Sequence, residues 1–451
     1  MTEYFIFFRP ATTIILKTQK NLFFPFSTCL LFKNGFATYN IKMLLDNFNF
    51  CHAVRDPIWQ HIYLTEELFQ TCQTAPFKRL QNIRQLGPTI LVYPGASHTR
   101  LAHSFGVYNT AFKLLNRLLQ QGANEWLSPS SAMSFLAAAL WHDAGHFPYT
   151  HSLKELPLKD HEDLTAEILL KDDIKNLIAK TGADPFQTAA IVSHQLKADE
   201  ETEFLRKLLS GALDPDKLDY LNRDAYYCGV PYGVQDCDFI FSHIFPHKQH
   251  GIVLDTQAVM SVEHLLFSKY LMYQAIYWHK NVRIATAMMK KCLFAGLQQG
   301  QIVAEELYSL DDASIFTLIK HKNFAEKSIA QELQMQKLFC IVKETPFDEK
   351  NELHNNLQKL EFRSQIEEIL AEKGEINAQN ILIDIPEKIS FECNYKVFDN
   401  FGNEQNTKSV FTPQTVKAFT SNLRQIRIAV KADTSPNAKQ KIANAFEGLN
   451  A

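Results

Sequence analysis

The run Trp141-His142-Asp143-Ala144-Gly145-His146 constrains this chain more than any other stretch. It follows Ala132 to Leu140, nine residues that are apolar except for Ser134. A His-Asp pair is therefore delivered into an apolar interior. Buried charge is costly unless it is paired or bound to a metal. Any fold this chain adopts must bring partners to that pair from elsewhere.

The 451 residues suffice for a large core and two or three structural units. Hydrophobic residues make up 46% and charged residues 21%, as in an ordinary soluble globular protein. A net charge of −3 gives no global argument for nucleic-acid or membrane binding. The eight cysteines are scattered and form no CxxC, which reads as reduced thiols in a cytoplasmic protein.

Residues 1–45 form an atypical extension, rich in Phe, with Arg9, Lys17, Lys20, Lys33 and Lys42 against Glu3 alone. The longest uncharged run, Asn21 to Phe32, is too short to span a bilayer. A signal peptide is one reading, but no convincing small-residue cleavage site follows. The preferred reading is a start at Met43, with residues 1–42 a translated leader. A protein lacking residues 1–42 is then expected to keep full activity, and loss of activity would refute this.

Short helical patterns such as Ala111 to Leu119 recur from about 46 to 300 and continue to about 380, as in Leu360 to Glu372. Lys388 to Cys393 and Ile426 to Val430 read as strands, and Asn437 to Leu449 as a closing helix. From about 404 to 445 the chain is locally basic. Without interleaved aromatics this reads as a solvated face; an anion or nucleic-acid contact is possible but unsupported.

A metal site of His and carboxylate needs ligands converging from separate segments. His103, His142, Asp143 and Asp216 are the candidates. Imidazoles with carboxylates suit one divalent ion: Mn, Fe, Co or Zn, or Mg where oxygen dominates. Gly145 and Pro148 break the helix after the pair, so both side chains can reach one ion. His146, His151 and His161 follow closely, and imidazole has the right unperturbed pKa for proton transfer.

The ordered set His103, His142-Asp143, Asp216 resembles the H…HD…D pattern of HD-domain metal-dependent phosphohydrolases. Within that superfamily the chain resembles the deoxynucleoside triphosphate triphosphohydrolases, both the bacterial dGTPases and the vertebrate enzyme that joins a sterile-alpha-motif to an HD domain. The match runs over roughly 54 to 300. It includes Arg55-Asp56-Pro57, Phe77 to Gly87, Tyr93 to Ser104, the His142 block and Asp216 to Asp224. The resemblance implies a mainly α fold, with an HD-type helical catalytic domain over 46–320; the helix and strand patterns make 321–451 a smaller helical and α+β C-terminal region. The resemblance further implies that His103, His142, Asp143 and Asp216 hold the metal. It also implies that His146, His151 and His161 line the triphosphate, with His151 the leading candidate for general acid. The family usually has a carboxylate three residues after that last position; Lys154 stands here, and Glu155 is a possible replacement.

Lys217, Tyr220 and Asp224 match family positions that touch phosphate and sugar, and Gln85 and Leu86 match sugar contacts. Lys269, Tyr273, Tyr277 and Lys280 recur at helical spacing, and Tyr277 to Lys280 resembles the segment that closes over the nucleotide. Lys269 stands where the family often has Arg, which replaces a bidentate fork with a point charge. Arg100, one turn before His103, is expected to grip the α-phosphate rather than pair with a carboxylate.

The leading expectation is hydrolysis of a deoxynucleoside triphosphate to deoxynucleoside and inorganic triphosphate. Another HD-type activity, on monophosphates, cyclic nucleotides or alarmones, is the second reading, and a non-enzymatic nucleotide sensor the third. The resemblance also implies a homo-oligomer, dimer or tetramer.

Overall fold

The structure is a computed structural model. It describes Leu45, Phe391 and residues 48–389, 395–399, 404–405 and 409–450. The leader expected over residues 1–42 lies outside the described residues, as do Ser390, Glu392 and Cys393.

The described residues are mainly α, with three small sheets. The first of these sheets is an antiparallel hairpin, β1 (Phe50–Asp56) and β2 (Gln60–Thr65), in which Val54 faces Ile62. The long helix α1 (Arg100–Gln120) starts where the Thr99 side chain accepts the Ala102 N–H. Its buried stripe, Val107, Ala111, Leu114, Leu115 and Leu118, follows the helical repeat. Helix α2 (Pro129–Trp141) is capped by Ser128, and every residue from Ser131 to Trp141 is buried. A helix apolar on all sides belongs in the middle of a core, and α2 packs there on α1 and on the helix Pro185–Val192, in one core with the hairpin residues Ile62 and Leu64. Helices α3 (His161–Leu169) and α4 (Pro215–Cys228) are capped by Asp160 and Asp214.

Two glycines set the spacing of these helices. A Cβ at Gly106 on α1 would overlap the Asp219 carboxylate and Arg223 on α4. A Cβ at Gly145 would overlap the His161 carbonyl at the start of α3. Only glycine lets α4 and α3 approach this closely.

A second hairpin, β3 (Ile244–His247) and β4 (Gly251–Leu254), precedes helix α5 (Val259–Met272) and helix α6 (Lys280–Gln298). The C-terminal part holds β5 (Cys340–Pro346), α7 (Leu360–Gly374), β6 (Ile381–Asp384), β7 (Lys396–Val397), β8 (Gln425–Val430) and α8 (Pro436–Asn450). Strand β8 lies between β5 and β6, antiparallel to both, and β7 pairs in parallel with β4.

The strand at Ile426 to Val430 and the closing helix are present. The strand expected from Lys388 is not: Lys388, Ile389 and Phe391 are irregular, and the neighbouring strand is β6. All four β6 residues are buried, three aliphatic side chains in a row followed by Asp384, with no alternation to mark the strand. The basic stretch is largely engaged internally. Arg427 pairs with Glu344 and Asp384, Lys431 with Glu332, Lys441 with Glu375, and Arg424 donates to the Pro386 carbonyl. Among the described residues, no helix is long and apolar enough to cross a membrane.

Candidate active site and metal centre

His142 is the C-terminal cap of α2, and the backbone then folds back through bonds from Ala144 N to Trp141 O and His146 N to Asp143 O. That turn presents Asp143 to His103 on α1 and to Asp216 on α4. His103 Nε2 lies 3.0 Å from Asp216 Oδ1 and 3.8 Å from Asp143 Oδ2. His142 Nε2 lies 3.3 Å from Asp143 Oδ1 and 4.0 Å from Asp216 Oδ1. His103, His142 and Asp143 each offer a ligand atom within 4.8 Å of the others.

The surrounding bonds decide which ring nitrogens face inward. His103 Nδ1 is 2.8 Å from Asp219 Oδ2, and His142 Nδ1 is 2.9 Å from the Ala139 carbonyl. Both acceptors require a proton on Nδ1, so both Nε2 atoms present lone pairs to two carboxylates. Metal-ligating histidines are commonly held this way. His142 Nε2 is buried with no hydrogen-bond partner. The donor set fits one divalent cation. The excess of negative charge also favours a proton on His103: burial opposes it, yet Asp216 and Asp219 push its pKa up to about 10, so a cation binding here competes with that proton for Nε2. Burial would also raise Asp143, but His142, His146 and Arg100 hold it well below the usual carboxylate range.

These groups open into a cavity of about 590 Å³. Gln85, Leu86, Arg100, Lys217, Tyr220, Asp224, Lys269 and Tyr277 all line it, as do His151 and His161. Gln85 Oε1 is buried without a partner. Asp224 accepts from the Tyr277 hydroxyl at 2.7 Å and sits 2.8 Å from His98 Nε2. The Lys217 ammonium bonds Asp214 at 2.6 Å and the Gly211 carbonyl at 3.0 Å. Lys269 lies over the Phe391 ring. The three histidines cluster, with His146 stacked on His161 at 3.9 Å and edge-on to His151 at 4.6 Å. His146 is fully buried behind the cavity wall, its Nε2 3.0 Å from Asp143 Oδ1.

Three expectations need correction. Arg100 does pair with a carboxylate, donating from Nη1 to Asp143 Oδ2 at 2.7 Å. Burial of both groups makes that pairing the favoured arrangement. Lys280 is exposed and does not line the cavity. The assumed single helix breaks: a π-turn over Tyr273–Tyr277 ends α5, and His279 adopts ψ 132° to cap α6. Lys280→Ala is accordingly expected to leave kcat/KM unchanged and stability within about 0.5 kcal/mol, whereas Lys269→Ala raises KM. Glu155 does not serve the histidines either; it is bound by Lys290 and, at 2.9 Å, by Arg363.

The sequence reading missed Asp219. It accepts from His103, from Trp59 Nε1 at 2.5 Å and from Arg223 at 2.8 and 2.9 Å. The signal was present as an Asp219–Arg223 pair at i,i+4 on the Asp216 helix. In Asp219→Asn an amide donor can face the His103 N–H, so metal affinity is expected to fall about 10- to 100-fold. Titration of the stripped protein with Mn, followed by metal analysis, measures it.

The HD domain family matches residues 100–221, which carry all four candidate ligands, and an HD associated region matches residues 243–444. The Bacillus subtilis protein YwfO is 31% identical over 301 residues, 62% of this chain and 68% of YwfO. This chain belongs to the HD-domain phosphohydrolases. HD domains bind divalent metal ions, and the His/Asp cluster here is compatible with one. The Danio rerio deoxynucleoside triphosphate triphosphohydrolase SAMHD1 is 30% identical over 44% of this chain and 31% of its own length. The chain spans about half the length of several other curated relatives it matches. A solved structure of a hypothetical protein from Aquifex aeolicus shares the fold, with a TM-score of 0.68 at 24% identity, covering 87% of this chain and 99% of that one.

Proposed function

We propose that this HD-domain protein hydrolyses deoxynucleoside triphosphates to deoxynucleoside and inorganic triphosphate, with His103, His142, Asp143 and Asp216 as its metal ligands. The observation that carries the reading is the union of that cluster with a cavity of about 590 Å³ walled by Lys154, Lys217, Lys269 and Arg283. Cations on several walls suit a polyanion better than a single phosphate. A bound divalent ion supplies charge neutralisation and makes a water more acidic. The chain's own residues supply the rest. The lysines position the phosphates, Gln85 and Asp224 offer acceptors to sugar hydroxyls, Leu86 and the Tyr220 and Tyr277 rings pack against sugar and base, and the histidine cluster beside Asp143 moves a proton. The likeness to the Danio rerio enzyme supports the same substrate class. We extend the proposal to a cytoplasmic homo-oligomer, a dimer or tetramer, which light scattering on the purified protein would size.

The test is purified protein with Mn or Mg and a panel of dNTPs, nucleoside monophosphates, cyclic nucleotides and alarmones, with products identified. Nucleoside plus inorganic triphosphate is expected. Turnover of another class alone would assign the site to that chemistry, and no turnover with any metal would leave a nucleotide sensor.

A further inference from the structure

The loop that follows the His-Asp turn supplies part of the cavity wall: His151, Ser152 and Lys154 all line it. Its local structure is slight. It holds a short 3₁₀ turn, Thr150–Leu153, which it enters through Tyr149 in the left-handed region at φ 66°. A tyrosine keeps such a backbone only where the surroundings over-determine it. At the near end the Thr150 hydroxyl accepts the Phe147 N–H at 2.9 Å. In the middle Leu153 and Leu156 are buried in one apolar cluster with Met288 and Met289 of α6. At the far end stands Glu155.

Among the described residues, Glu155 contacts none of the three histidines, so it relays no proton to them. It is the point at which the C-terminal part grips the loop. Arg363 of α7 donates from Nη2 to Glu155 Oε1 at 2.9 Å and from Nη1 to Oε2 at 3.4 Å, and the Lys290 ammonium of α6 binds the same carboxylate. Burial alone would raise the Glu155 pKa, but Arg363 and Lys290 hold it below the ordinary value, so the carboxylate stays charged. Both cations are themselves fixed. Arg363 Nε donates to the Leu357 carbonyl at 2.9 Å. Helix α6 is tied to β6 by Arg283 and Asp384, at 2.6 and 3.1 Å, and to α7 by Lys291 and Glu367. One carboxylate therefore fastens the far end of the loop to a frame of α6, α7 and β6. No carboxylate contacts His151 among the described residues, so the restraint on that ring comes through its backbone.

We propose that Glu155 and Arg363 are positioning residues of this active site: through their ion pair the C-terminal part sets where His151 stands in the cavity. The inference takes its reaction from the triphosphohydrolase reading. A misplacement of about 1 Å can cost about a hundredfold in rate, so a tie four residues from the ring is close enough to matter.

The test is a double-mutant cycle in the full-length protein. Glu155→Ala is expected to lower kcat on a dNTP by about ten- to a hundredfold with metal content unchanged. Glu155→Gln, which keeps the shape and drops the charge, should show a smaller loss of the same kind. His151→Gln lowers kcat too, and adding Glu155→Ala to it is expected to lower kcat no further, because the tie acts through that side chain. Arg363→Lys keeps the cation without the fork and should lie between wild type and Arg363→Met. A merely structural role gives a different result: the two losses multiply, or Glu155→Ala lowers the unfolding midpoint and leaves kcat alone. Either outcome overturns the proposal, as does a His151→Gln protein with wild-type kcat. A second measurement needs no turnover. In protein carrying 15N-labelled histidine, the His151 ring signals are assigned by their loss in His151→Gln. Glu155→Ala should shift or broaden them and leave those of His61, exposed on the β1–β2 hairpin, in place. His151 signals unmoved by Glu155→Ala overturn the proposal. Wild-type protein that cleaves no dNTP defeats the substrate reading, and the NMR result then decides the positioning by itself.

Discussion

Replacing Asp143 with alanine is expected to remove both the bound metal and the hydrolysis. Asp143 is the one group shared by every part of the centre: its two oxygens face His103, His142, His146 and Arg100. Without it, Arg100 is a buried cation with no partner in a site meant for another cation. Losing the several kcal/mol a metal contributes, at about 1.4 kcal/mol per tenfold, predicts a fall of about a thousandfold or more. Metal analysis of the purified variant should find none, while circular dichroism stays native. Asp143→Asn is the gentler companion, because its amide oxygen still accepts from Arg100. It is expected to fold as well as wild type yet bind metal poorly. An Asp143→Ala protein that retains metal and turnover would show that the ion sits elsewhere.

How much of this was legible beforehand depended on the kind of signal. The ligands were legible because each lies in a short run whose composition is unusual for its surroundings: a charged pair after an apolar stretch, or an Asp-Pro-Asp-Lys at a helix start. Helices with a long buried stripe, such as α1, were legible for the same reason. The hairpins β1–β2 and β3–β4 were not, since strands of four to seven residues are too short for their periodicity to stand out. Strand β6 hid its period by being buried on both faces. Side-chain pairing was the least legible. Nothing in the local sequence says that Glu155 will meet Arg363, 208 residues away, or that Arg100 will turn to Asp143. The break before Lys280 was written in Trp278-His279, but a four-residue repeat of Lys and Tyr masked it.

Arg223→Leu is expected to be the most destabilising single change in the described protein. The guanidinium is fully buried and joins two carboxylates from distant segments, Asp219 through Nε and Nη2 and Asp56 through Nη1 at 2.8 Å. Asp56 in turn accepts the Ile58 and Trp59 N–H groups at 2.9 Å, which sets the β1–β2 turn. Leucine leaves those two buried carboxylates facing each other without a cation, at a cost of about 3–5 kcal/mol. Lysine restores the charge but not the fork, so Arg223→Lys should recover only part of it. Urea unfolding with an unchanged m-value would measure both. The pH dependence separates this cause from lost packing. In wild type, burial favours a neutral Asp219, but Arg223 and His103 outweigh it and lower the pKa below the ordinary value. That stabilisation is complete above the unfolded value near 4 and is lost only as pH falls below it. In the leucine variant burial goes unopposed by Arg223, so a carboxyl pKa is raised, and stability should fall as pH rises through it. The variant is therefore expected to come closest to wild type in mild acid and to diverge towards neutral pH. A deficit that stays constant with pH would mean that Arg223 matters for its volume and not for its charge.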